Sequence, residues 1–188
     1  MKAERTAINF LQHLSGIATE TKAYVDAVAT YKTQILDTRK TIPGLRHLQK
    51  YAITIGGGKN HRKNLSDGIL IKDNHINMAV KNGDDFKSII CKTLQDSPNG
   101  LKVEVEVSNI DEVVMALDAG ADIIMLDNME PNQMKEAVVI IDDNALTEAS
   151  GGINLDNVVA VAETGVDFIS IGALTHSVLA LDYSLEII

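Results

Sequence analysis

Residues 102–107 read KVEVEV, and the reading of this stretch decides the fold. A period of two puts Lys102, Glu104 and Glu106 on one face and Val103, Val105 and Val107 on the other. If the valines face helices, two acids point into a space enclosed by strands. A buried carboxylate without partners is costly, so inward acids imply cations, hydroxyl ligands or a metal ion. The alternative is an edge strand with a solvated acidic face.

Working outward, seven strand-like runs each precede a polar cluster: QILD before TRK, YAITI before GGGKNHR, GILI before KDNH, KVEVEV before SN, DIIML before DN, LTEA before SGG, and DFISI before GALTHS. The stretches NIDEVVMALDAG, PNQMKEAVVII and NLDNVVAVAETG between them carry helical spacing, with Asn or Pro near each start and Gly closing two of them. Alternating strands and helices predict parallel strands joined by crossovers, and seven in one domain favour an α/β barrel related to the (β/α)8 form. An open doubly wound sheet is the competitor, but its glycine fingerprint at the first strand is missing. Residues 3–32 read as two helices broken at Ser15 and Gly16.

The chain has 188 residues and a net charge of −9, enough for one domain with a core. Apolar runs such as 137–141 and 158–162 fall far short of the roughly 18 residues of a membrane span. The first residues carry scattered charges and do not resemble a secretory leader, so the expectation is a cytoplasmic protein. The acidic balance and 4% aromatic content argue against a nucleic-acid partner. One cysteine, Cys91, has no partner for a disulfide or zinc site and reads as a small apolar residue. Residues 37–75 nevertheless hold eight Lys or Arg against three Asp. A basic island in an acidic chain suits a small anionic ligand.

Parallel barrels place their chemistry at the strand ends. Arg39, Lys40, His61, Arg62 and Lys72 follow three successive strand-like runs, and a barrel brings them to one mouth. Each alone reads as a solvated surface charge; together they repel unless an anion such as a carboxylate or phosphate compensates them. GGGKNHR lacks the Ser or Thr of a Walker A loop and the last glycine of a dinucleotide fingerprint. It reads either as a close turn that delivers His61 and Arg62 or as a purely conformational turn. Ser150, Gly151, Gly152 and Gly172, with His176 beyond, follow the last two strands, where barrels bind phosphate through backbone amides. Asp127 ends the fifth strand-like run, placed to bind sugar hydroxyls or hydrated magnesium, or simply to cap a turn. His13 and His47 receive no role.

The runs ERTAINFLQHLSGIA, ILDTRKTIPGLR, GGGKNHR, LIKDNHI, VEVEV, IIMLDNM, EASGGI and IGALTHS, in this order, resemble the quinolinate phosphoribosyltransferase family. The resemblance implies an incomplete, seven-stranded barrel over residues 34–188. It also implies that residues 1–33 are a helical remnant of the link to an N-terminal domain, most of which this chain lacks. The implied reaction joins quinolinate and phosphoribosyl pyrophosphate, with Mg2+, to give nicotinate mononucleotide, pyrophosphate and CO2 in NAD biosynthesis. The resemblance assigns quinolinate binding to Arg5, Arg39, His61, Arg62 and Lys72, with Lys40 and Lys72 reaching the phosphorylated sugar. Glu106 and Asp127 fall near the ribose and metal, Glu104 is a weaker candidate, and Ser150, Gly151, Gly152 and Gly172 form the phosphate turn. Lys40, Lys72, Glu106 and Asp127 are the implied catalytic set. A homodimer is implied, with the residue matching Arg5 arriving from across the interface. A related phosphoribosyltransferase for another heteroaromatic acid, or a ligand-binding barrel without catalysis, are the other readings.

Overall fold

A computed structural model of the chain describes residues 3–186 apart from positions 82 and 99. The outermost residues of the expected 1–33 and 34–188 division, namely 1, 2, 187 and 188, lie outside it. Six parallel strands form one sheet: β1 (Gln34–Leu36), β2 (Ile69–Ile71), β3 (Val103–Val107), β4 (Ile123–Asp127), β5 (Leu146–Ser150) and β6 (Phe168–Ser170). Their order, β1-β6-β5-β4-β3-β2, runs in sequence from β2 to β6 and then returns to β1, the order of a barrel. Side chains from the ends of all six strands meet in one cavity, so the sheet curls round on itself.

The valines of β3 settle the orientation. Val103, Val105 and Val107 are buried with Ile35, Ile71, Ile124, Leu126, Ala149 and Ile169 in the layer between sheet and helices. Glu104 and Glu106 consequently face the barrel interior, as the alternation predicts. Helices α3 (Asp73–Lys81) and α4 (Phe86–Asp96) follow β2, and the later helices of the outer layer carry the end signals read from the sequence. In α5 (Ile110–Ala119) the Asn109 side chain accepts from the backbone N–H of Glu112, and Gly120 takes a left-handed φ of 87° at the other end. Pro131 opens α6 (Pro131–Ile141) behind Glu130, whose backbone N–H donates to Gln133 Oε1 at 3.2 Å. The third expected helix becomes the short α7 (Val158–Ala162).

Two expectations are corrected. YAITI is not a strand but the end of helix α2 (Arg46–Ile55), which buries Gln49, Lys50, Ala52 and Ile53 on one face. That i, i+3, i+4 spacing outweighs the β-branched character of Ile53, Thr54 and Ile55. The seventh strand position is instead held by Lys59 alone, whose N–H donates to Ile35 O at 2.8 Å while its carbonyl accepts from Asp37 at 3.1 Å. The preceding glycines permit this approach: a Cβ on Gly58 would sit 2.8 Å from Thr21 Cγ2 and 2.9 Å from Ile53 Cγ2. The barrel is therefore six strands and one bridge.

The second correction concerns the N-terminal segment, which is one unbroken helix, α1 (Glu4–Ala27). Gly16 does not break it; a side chain there would strike the carbonyl oxygen of Leu179, so the glycine lets the C-terminal segment cross the helix. Helix α1 packs against α2, α7 and the last short helix, α8 (Ala173–His176), through residues that include Ile17 and Tyr24. Among the described residues no helix is long and apolar enough to cross a membrane.

Candidate functional site

The C-terminal ends of the strands surround a cavity of about 610 Å³. β1 delivers Thr38, Arg39 and Lys40; the Lys59 bridge delivers His61 and Arg62; β2 delivers Lys72. Opposite them stand Glu106 on β3, Asp127 at the end of β4, Ser150 at the end of β5, and Gly151 and Gly152 just after it. Ten residues singled out in the sequence thus converge on one space: Arg39, Lys40, His61, Arg62, Lys72, Glu106, Asp127, Ser150, Gly151 and Gly152. Glu104 lies one pleat deeper and lines a second cavity of about 630 Å³ towards the other end of the strands. Gly172 stands beside the first cavity, where a Cβ would come within 3.1 Å of Lys40 Cδ and 3.2 Å of His176 Nε2. Arg5 sits exposed in the first turn of α1 and does not line this cavity.

The cations are placed by their backbones. Thr175 Oγ1 donates to Lys40 O at 2.8 Å. His61 N donates to Asp37 Oδ1 at 2.9 Å, while Lys50 Nζ donates to His61 O at 3.0 Å. Arg62 Nη1 reaches Gly68 O at 3.2 Å. The Nε atoms of both Arg39 and Arg62 are sealed from solvent without a partner among the described residues. Buried donors of this kind suit an acceptor-rich ligand. Burial, and then the like charge of Arg39, hold the Arg62 guanidinium below its usual range, against the pull of Glu104 and Glu148.

The anionic side is ordered too. Lys72 Nζ lies 2.6 Å from Glu106 Oε2. Asp127 Oδ2 accepts from Asn128 Nδ2 at 2.7 Å, and Asn128, at φ 53°, donates its backbone N–H to Ser150 O at 2.8 Å. Gly151 and Gly152 have φ of 94° and 63°. This left-handed pair, unfavourable for residues with a Cβ, turns the chain tightly at the cavity edge.

Beneath the cations, His61 Nε2 lies 3.0 Å from Glu104 Oε2 and 3.5 Å from Glu148 Oε2. Burial alone would push the imidazole down, but hydrogen bonds to the two glutamates and their charge lift it to about 10. Glu104 is itself raised, chiefly by burial, with His61 pulling the other way and Glu148 adding like charge.

Sequence reasoning missed Glu148, Ser170, Thr38, Asn128, Leu70 and Met125 as cavity residues. The signal for Glu148 was present in the register. Met125 pairs with Glu106 on one side and Glu148 on the other, so the inward face of β3 continues across the sheet to Glu148.

The family model for quinolinate phosphoribosyl transferase, C-terminal domain, matches residues 17–186. The chain is 46% identical over 194 residues to a probable nicotinate-nucleotide pyrophosphorylase (carboxylating) of Methanocaldococcus jannaschii, covering 98% of this chain and 67% of that protein. It is 44% identical to the corresponding probable enzyme of Bacillus subtilis, covering 100% of this chain and 63% of that one. The solved nicotinate-nucleotide pyrophosphorylase of Francisella tularensis superposes with a TM-score of 0.88 at 48% identity, over 96% of this chain and 62% of that structure. The chain therefore spans about two thirds of the length of the curated relatives it matches. The chain therefore belongs to the quinolinate phosphoribosyl transferase family, as its C-terminal domain.

Proposed function

We propose that this domain binds quinolinate and phosphoribosyl pyrophosphate and transfers the phosphoribosyl group to the pyridine nitrogen, with loss of the C2 carboxyl as CO2. The observation that carries this reading is the pair of buried, unpartnered guanidinium donors of Arg39 and Arg62 beside His61. They suit a small dicarboxylate, in a cavity whose other wall is acidic and glycine-turned. Arg39, His61 and Arg62 hold the two carboxylates. Lys40 and Lys72 neutralise the phosphorylated sugar, and the amides of the Ser150–Gly152 turn, with Gly172 beside Lys40, receive its 5-phosphate.

As pyrophosphate leaves, positive charge grows on the anomeric carbon, and Glu106 and Asp127 stabilise it directly or through ribose hydroxyls. The pyridine nitrogen then attacks. Once alkylated, it becomes a cationic electron sink adjacent to the C2 carboxylate, so CO2 departs without an organic cofactor, and the electron pair left at C2 takes up a proton from water. The protein contributes alignment and charge compensation, and no side chain acts as nucleophile.

A neighbouring recess of about 350 Å³, lined by Asp73, Asn77, Glu106, Ser108, Glu112 and Asp127, offers oxygen donors of the kind Mg2+ prefers. Glu106 and Asp127 would hold the ion directly or through water, and it would supply charge neutralisation for the pyrophosphate group. Arg5, exposed and away from its own chain's cavity, fits a place at the mouth of a second copy in a homodimer. We assign residues 1–33 to the link with a further domain and 34–188 to the barrel, in a cytoplasmic enzyme.

Comparing quinolinate with nicotinate as acceptor tests this reading. Nicotinate mononucleotide formed from quinolinate, and not from nicotinate, is expected. Transfer to nicotinate alone would assign the site to another heteroaromatic acid.

A further inference from the structure

Two carboxylates buried at one imidazole nitrogen need a reason. Glu148 is 1% exposed and Glu104 4%, and both turn Oε2 towards the same atom, His61 Nε2. The second oxygen of each, Oε1, is sealed from solvent without a partner among the described residues. The trio closes the floor of the upper cavity, and His61 and Glu148 line both cavities.

The arrangement fixes which ring nitrogen faces which neighbour. With acceptors at Nε2, that nitrogen carries a proton. Nδ1 has no hydrogen-bond partner among the described residues and is not sealed from solvent. If the ring were neutral, Nδ1 would present a lone pair and repel a carboxylate. Only the doubly protonated ring presents a second N–H donor there. Two carboxylates at Nε2 favour that form.

We propose that Glu148 and Glu104 are positioning residues that hold His61 as an imidazolium, its Nε2–H clamped between them and its Nδ1–H free to donate to a carboxylate of the ligand. The inference rests on the reading of the upper cavity as a site for quinolinate. It adds that the two glutamates act through His61. Other charges stand near the trio as well: the Arg62 guanidinium, attracted by the same two glutamates and repelled by Arg39, competes for them, while Asp37, whose carboxylate accepts the His61 backbone N–H beside Lys50, favours protonation of the ring. With both acids against one ring nitrogen, their hydrogen bonds and charge outweigh burial and lift the imidazole.

The test has two parts. Ring NMR of histidine-labelled protein, without ligand, is expected to show His61 doubly protonated at pH 8, well above the ordinary histidine value of about 6.5. Glu148→Gln should bring its titration towards that value, and Glu148→Asp should restore part of the shift. A wild-type His61 that titrates like a free histidine would overturn the proposal, even if no variant folded. Calorimetry with quinolinate forms the second part. Wild-type affinity should be flat between about pH 6 and 8.5, whereas Glu148→Gln should bind about tenfold more weakly at the upper end and recover towards the lower. A variant that binds within twofold of wild type at every pH would overturn the proposal. A wild-type protein that ignores quinolinate while His61 stays protonated would instead reject the quinolinate site. Tight Zn2+ binding by the wild type that is lost in Glu148→Gln would make the trio a metal site and also overturn the proposal.

Discussion

The Lys50 ammonium lies 2.5 Å from Asp37 Oδ1, both side chains almost wholly buried, and between them they hold the His61 peptide. Asp37 accepts its N–H and Lys50 donates to its carbonyl. Burial pushes the Asp37 carboxyl up and the Lys50 amine down, each against the attraction of the other. A pair with that balance orders the loop more than it stabilises the fold. Removing one member strands the other charge, so Lys50→Met should cost about 3–5 kcal/mol in urea unfolding. The double variant Lys50→Met, Asp37→Asn should recover part of this loss. Equal stability of Lys50→Met and wild type would show that the pair does not hold its neighbours.

Raising the pH should weaken the fold through His61. Its folded value, about 10, lies above the ordinary value of about 6.5 expected in the unfolded chain. The contribution is therefore complete below about pH 6.5 and is lost as pH rises through about 10. The stability gap between wild type and His61→Gln, measured by denaturant titration, should shrink over this interval. A gap that widens towards alkaline pH would contradict the ionisation assigned to the trio.

Gly151 and Gly152 make a matched comparison. Both have left-handed φ, but a Cβ on Gly151 would collide with the Asn128 side chain and come within 2.9 Å of its backbone nitrogen, whereas one on Gly152 meets nothing within 4 Å. Gly152→Ala should cost about 1–2 kcal/mol of backbone strain. Gly151→Ala should cost more and lower affinity for phosphoribosyl pyrophosphate at least about tenfold, since the turn must shift. Equal effects at the two positions, read by thermal melting and calorimetry, would show that contact with Asn128 is unimportant.

Arg62→Ala should reduce quinolinate affinity by about 10- to 100-fold, the loss of a charge-assisted hydrogen bond. Binding of phosphoribosyl pyrophosphate should change little. Asp127→Asn should leave quinolinate binding near wild type and depress turnover with the sugar donor. An unchanged quinolinate affinity in Arg62→Ala, or a wild-type rate in Asp127→Asn, would remove that residue from its role.

The barrel was legible because strands of period two alternate with segments of helical spacing. KVEVEV alternates valine with acid, and the valines of β3 lie in the outer core while the acids face inward. The convergence of Arg39, Arg62, Lys72 and Asp127 followed from strand ends meeting at a mouth. YAITI misled because β-branched residues favour strands locally, while tertiary burial at helical spacing decides the outcome in α2. Gly16 misled in the opposite sense: a small residue needed for a chain crossing looks like a helix break. Glu148 escaped notice because LTEAS has too few apolar residues to reveal its inward face. Its role depends on a register across β3, β4 and β5 that no local pattern encodes.

The most direct measurement is the yield of CO2 and nicotinate mononucleotide from carboxyl-labelled quinolinate. The two products should appear in equal amounts, and only when phosphoribosyl pyrophosphate and Mg2+ are both present. Labelled CO2 released without the sugar donor, or quinolinate left intact by the protein supplied with both, would contradict the account.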